Sequence, residues 1–67
     1  MFYVRVNSVR QPETFESVYL ARAFADMHRS SVVEIWGPRD GATGHTPWER
    51  RDPEGSWIDS QPFFDRE

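Results

Sequence analysis

The chain is 67 residues long, carries a formal net charge of −3 at pH 7 and contains no cysteine. A chain of this length is one small domain that buries only about 60% of the surface its unfolded form exposes, and without cysteine it has neither a disulfide framework nor a thiolate zinc site to brace it. MFYVRVNSVR alternates where a signal peptide would run apolar, and no stretch approaches the roughly 18 apolar residues of a membrane span, so the expectation is a cytoplasmic protein with no membrane contact.

Phe2, Val4 and Val6 alternate with Tyr3 and Arg5, the period of a half-buried strand. Asn7-Ser8 offers a two-residue turn, a weaker hairpin signal than Asn-Gly, and Val9 to Gln11 reads as the returning strand. Pro12 confines that return to a sheet edge. From Ser17 to about Arg29 the period turns helical. Leu20, Phe24 and Met27, with Ala21 and His28 beside them, are predicted to pack on the sheet, Phe24 against Val4 and Ile35. Ser17 is placed to cap the first turn, Phe15 to pack back on Ala21, and His28 and Arg29 to meet the negative end of the helix dipole.

Val32 to Trp36 is a β-branched strand that Gly37-Pro38 should end, and RDGATGHTP reads as a glycine-rich loop with a mobile tip. Trp48 to Asp52 resumes extended structure. DPEG, with Asp first, Pro second and Gly fourth, fits a type I turn, after which SWIDS can pair back as a short fifth strand. QPFFDRE begins with a proline break, and residues 61–67 read as a tail to a single domain of residues 1–60. Together these elements predict an α+β fold, ββαββ, with an antiparallel sheet ordered 2-1-3-4 and one helix covering one face.

The other face is then solvated or covered by a partner. If Phe2, Val4 and Val6 face the helix, Tyr3, Arg5 and Arg10 point to the open face, joined by Glu34 and Trp36 when Val33 and Ile35 turn inward. Glu34 can relieve the like-charge opposition of Arg5 and Arg10 across the hairpin. In the fourth strand Trp48 and Arg50 share one face and Glu49 and Arg51 the other. Burying Trp48 costs less than burying charge, and Arg50 falls opposite Trp57 across the DPEG turn, where guanidinium and indole can stack. Trp48 and Trp57 are therefore expected to be structural. Trp36 is the candidate anchor, beside Tyr3 and Arg5, residue types enriched at binding hot spots.

Catalytic chemistry finds little footing. His28 and His45, the only imidazoles, lack the spacing that sets two metal ligands on one helix face, and read as a helix-end residue and a solvated loop residue. The loop glycines are not followed by Gly-Lys-Ser/Thr, and with no lysine in the chain a P-loop is excluded. Asp40, Glu49, Asp52 and Asp59 read as solvated charges. No cofactor and no enzymatic activity are expected. All eight basic residues are arginine, among them Arg5, Arg10, Arg22, Arg50 and Arg51, for which a GC-rich genome is the simplest cause and guanidinium-based recognition the functional one.

The run of FYVRV, TFESVYLARAFADMHRSSVVEIW and WERRD, over about residues 2 to 52, resembles small accessory proteins encoded by phages of high-GC actinobacterial hosts. That resemblance implies a binding module without a cofactor that acts on host or phage proteins, in some cases as an inhibitor, and it transfers no particular residue. The expectation is thus a small protein-binding module acting through Trp36, Tyr3, Arg5, Arg10 and Glu34, with a protein partner or a second copy. The alternative is a nucleic-acid binder using Tyr3, Arg5, Arg10 and Trp36 as a stacking platform, which the acidic balance disfavours unless the acidic residues are segregated to the far side.

Overall fold

In the computed structural model, which describes residues 1–38 and 44–59, strand β1 (Phe2–Val6) turns through Asn7-Ser8 into β2 (Val9–Phe15). Both turn residues have positive φ, 51° and 70°, as a type I′ hairpin requires. Asn accepts that region more readily than Ser, and Asn7 is also tied to the start of the third strand. Its N–H donates to the Val32 carbonyl at 2.8 Å and its Oδ1 accepts from the Val32 N–H at 3.1 Å. Those two bonds supply what glycine would otherwise supply by conformational freedom.

β2 continues to Phe15, beyond the Gln11 that the sequence pattern indicates. Pro12 does not end it because the pairing is irregular there: Arg5 opposes Arg10 but Tyr3 opposes Thr14, leaving Gln11 to Glu13 to span the place opposite Val4. A residue without an N–H fits such a bulge, and β2 is the edge strand its proline demands.

Helix α1 (Val18–Ala25) continues into a 3₁₀ turn (Asp26–His28), and the Ser17 hydroxyl caps it by accepting from the Leu20 N–H at 3.2 Å. The face it buries is not the expected one. Ala21 and Ala25 are fully buried, whereas Leu20 and Met27 are 53% and 71% exposed. Phe24 is only half-buried, at the margin of the core, with its ring 5.3 Å from Phe15 and 5.6 Å from His28. Two alanines let the helix backbone lie close to the sheet, and the long apolar side chains rotate to the flank and to solvent. Phe15 does close over the helix start, but its ring partner is Phe24.

Strands β3 (Val33–Pro38), β4 (His45–Arg51) and β5 (Trp57–Asp59) complete one antiparallel sheet ordered β2-β1-β3-β4-β5, an α+β fold. Gly37-Pro38 does not end β3: Gly37 pairs with Thr46 and Pro38 with His45, so His45 belongs to a strand and not to a loop. Glycine is needed at position 37 because the Phe2 ring lies across it; a Cβ there would stand 2.2 Å from Phe2 Cδ2. The core is Val4, Val33 and Ile35 from the sheet with Ala21 and Ala25, edged by Phe2, Val6, Phe15, Val18, Phe24 and Trp57.

DPEG makes its turn with the Gly55 N–H donating to the Asp52 carbonyl at 2.9 Å, but the φ of Glu54 is +56°, which belongs to type II and not to the expected type I. The Glu54 N–H donates to the Arg29 carbonyl at 2.8 Å, which accounts for the orientation of its peptide. The expected tip of the RDGATGHTP loop (residues 39–43) and the tail (residues 61–67) lie outside the described residues.

Candidate functional site

With Val4, Val33 and Ile35 in the core, their chain neighbours turn to the face away from the helix. The register then sets Tyr3 between Thr14 and Trp36, and Arg5 between Arg10 and Glu34. All five residues singled out from the sequence therefore meet on one surface. The Tyr3 and Trp36 rings stack nearly parallel, 6.2 Å apart at 14°. The Arg10 guanidinium lies over the Tyr3 ring at 4.0 Å and that of Arg5 over Trp36 at 5.0 Å.

Glu34 closes the Arg5 end of this ladder. Its Oε1 is 3.6 Å from Arg5 Nη1 and accepts from the Trp36 indole N–H at 3.4 Å, while Arg5 Nη2 donates to the Ser8 carbonyl at 3.2 Å. Tyr3, Arg5, Glu34 and Trp36 are half-buried by one another and Arg10 is exposed. The four half-buried side chains hold one another in place.

Two residues that the sequence pattern did not place there extend the surface. His45, opposite Pro38, sets its ring edge-on to Tyr3 at 5.0 Å, with Nε2 3.2 Å from the Met1 carbonyl oxygen. Arg50, opposite Glu34 and Ile58, carries its guanidinium to Asp52 at 3.3 Å. The signal for Arg50 was hidden by a bulge: Ile35 opposes Glu49 but Trp36 opposes Pro47, so Trp48 is an extra residue and the alternation changes phase around it.

That bulge corrects the expected fourth strand. Glu49 and Arg51 face the helix, together with Trp48, whose ring meets Phe2 edge-on at 5.1 Å and whose indole N–H donates to the Pro38 carbonyl at 3.2 Å. Arg51 and not Arg50 opposes Trp57, with its guanidinium 5.3 Å from the indole. Glu49 accepts two bonds from Arg22 of the helix, at 2.7 and 2.6 Å, which raise the Arg22 pKa above its ordinary value against the cost of burial. Burying Arg22 and Glu49 is tolerable because each is paired with the other.

By strand register the open face carries Arg5, Arg10 and Arg50 with Glu34, and Asp52 is paired with Arg50 there, in a chain whose formal charge is −3. Among the described residues no helix is long and apolar enough to cross a membrane, and no three His or carboxylate side chains lie together as a metal site. No protein-family model, curated protein or solved structure matches the chain.

Proposed function

We propose that this is a non-catalytic protein-binding module whose open sheet face docks on an acidic surface of a partner protein. In line with the resemblance to phage accessory proteins, that partner is a host or phage protein. The observation that carries the reading is the Arg10, Tyr3, Trp36, Arg5 ladder: hot-spot residue types, preorganised, with an excess of arginine. Preorganisation lowers the entropy lost on docking. Arg10, the exposed cation of the ladder, supplies steering toward acidic groups.

The arginine excess also favours a second reading, a single-stranded nucleic acid laid on the sheet. The ladder argues against it. Bases stack on free ring faces, whereas Tyr3 has Arg10 over its ring and Trp36 beside it, and Trp36 has Tyr3 and Arg5. A base would have to displace an arginine first.

The test is site-specific photocrosslinking in the source cell. A benzoylphenylalanine placed at Thr14 or Pro47, beside the ladder, is expected to trap a discrete protein adduct, and one placed at Met27 on the helix side is not. An adduct from position 27 alone, or none from either open-face position, contradicts the reading.

A further inference from the structure

We propose that the outward side of α1 pairs with the same helix of a second copy of this chain, antiparallel and about a twofold axis. The surface lies on the helix side of the sheet and does not depend on the reading of the open face.

The helix is apolar in two directions. Ala21 and Ala25 fill the side that meets the sheet, while Leu20, Ala23, Phe24 and Met27 fall at the i, i+3, i+4 and i+7 spacing of a second stripe. Leu20, Ala23 and Met27 are exposed and Phe24 is half-buried. Arg22 and Asp26 are drawn to β4 instead, Arg22 to Glu49 and Asp26 to within 3.5 Å of Arg51. An apolar stripe on the outside of a helix that already buries another side marks a contact surface.

Size and charge select a second copy as the occupant. Laid antiparallel about a point between Ala23 and Phe24, two such stripes set Leu20 of each helix over Met27 of the other and the small Ala23 against the Phe24 ring, so large meets small at the centre. The same arrangement brings exposed Glu16, ahead of one helix, to the far end of the other, where exposed Arg29 stands, and it opposes the two helix dipoles. A parallel pair would set Glu16 on Glu16, Arg29 on Arg29 and ring on ring. The stripe thus complements itself, as a twofold pair requires.

Three exposed side chains per copy offer well under the ~800 Å² per partner of a stable interface, so the pair is weak, with a dissociation constant on the order of 0.1–1 mM. Dilute chains are monomers. In the pair both open sheet faces point outward.

The experiment is sedimentation equilibrium of the whole chain from about 20 µM to about 2 mM, a range that brackets this constant. The parent is expected to pass from monomer to dimer across it, and Trp36→Ala to do the same. Leu20→Glu and Met27→Lys, each at an exposed position, should keep the parent's thermal melt in dilute solution and weaken the pair at least about tenfold. Mixed in equal amounts they should pair again, within about threefold of the parent's constant, because the antiparallel register brings the introduced carboxylate of one chain to the introduced ammonium of the other. A parent that stays monomeric to the top of the range, whether or not a different protein covers the stripe, would overturn the proposal. So would a dimer lost in Trp36→Ala but kept in the helix variants, or a mixture that stays monomeric.

Discussion

Arg51 Nη2, on the sheet, donates to the His28 carbonyl at 2.9 Å, and also to that of Ala25 at 3.2 Å. These are carbonyls at the end of the helical segment, that of His28 accepting also from the Ser31 N–H at 3.2 Å, so a strand residue adds bonds to its C-terminal end. The guanidinium is nearly buried, at 5% exposure, and its positive charge suits the negative end of the dipole. Its contact with Asp26, at 3.5 Å, adds little because Asp26 is largely exposed.

Arg51→Met should therefore cost about 2–4 kcal/mol, since it removes two charge-assisted bonds from the end of the helical segment. That is much of the stability of a domain this small. Urea melts followed by far-UV circular dichroism check it. A loss under about 0.5 kcal/mol would show that the helix end is satisfied without Arg51.

The helix side of the core should respond to size in an inverted order. Leu20→Ala, at an exposed position, is expected to change stability by under about 0.5 kcal/mol, whereas Ala25→Leu should cost about 1–3 kcal/mol by forcing the helix off the sheet. Thermal melts of the two variants decide it. Phe24→Ala should fall between them, well below the cost of emptying a fully buried phenylalanine site.

Gly37→Ala places a methyl group where the Phe2 ring lies, 2.2 Å from Cδ2. The ring must swing away, at about 1–3 kcal/mol, and the edge-on contact with Trp48 should open. A red shift of tryptophan fluorescence together with a lower melting temperature is the expected outcome. An unchanged spectrum would mean that Phe2 moves without disturbing Trp48.

How far the sequence alone leads depends on where the alternation stays regular. β1 and β3 keep strict period two around Val4, Val33 and Ile35, so the register of Tyr3 with Trp36 and of Arg5 with Glu34 is legible from the residues. β4 is not, because one extra residue at Trp48 reverses the phase and sends Arg51 inward. Nothing in the chain marks that inversion, since the groups that make the burial of Arg51 tolerable are main-chain carbonyls distant in sequence. The helix misleads for another reason: Leu20, Phe24 and Met27 form a valid amphipathic stripe, yet the sheet accepts the alanines, whose smallness only matters once the helix is docked.

Filled ring faces on the ladder lead to a prediction about nucleic acid. Binding of fluorescein-labelled single-stranded oligonucleotides should be weak and vanish at physiological salt, as expected where charge is the only attraction. Fluorescence anisotropy measures this directly. Submicromolar binding at that salt, lost in Arg10→Ala, would move the nucleic-acid reading to first place.

The central claim is that the Tyr3, Trp36 and arginine ladder is a binding surface and not simply the underside of the fold. It is tested most directly by quantitative capture of partners with the parent chain, Trp36→Ala and Leu20→Ala in parallel, each first checked by thermal melt. The account predicts that Trp36→Ala stays folded and loses at least about 2 kcal/mol of partner affinity, a roughly thirtyfold drop in recovery at limiting bait. Leu20→Ala should recover the same partner as the parent chain. Trp36→Ala retaining full recovery while folded, or unfolding outright, would contradict it.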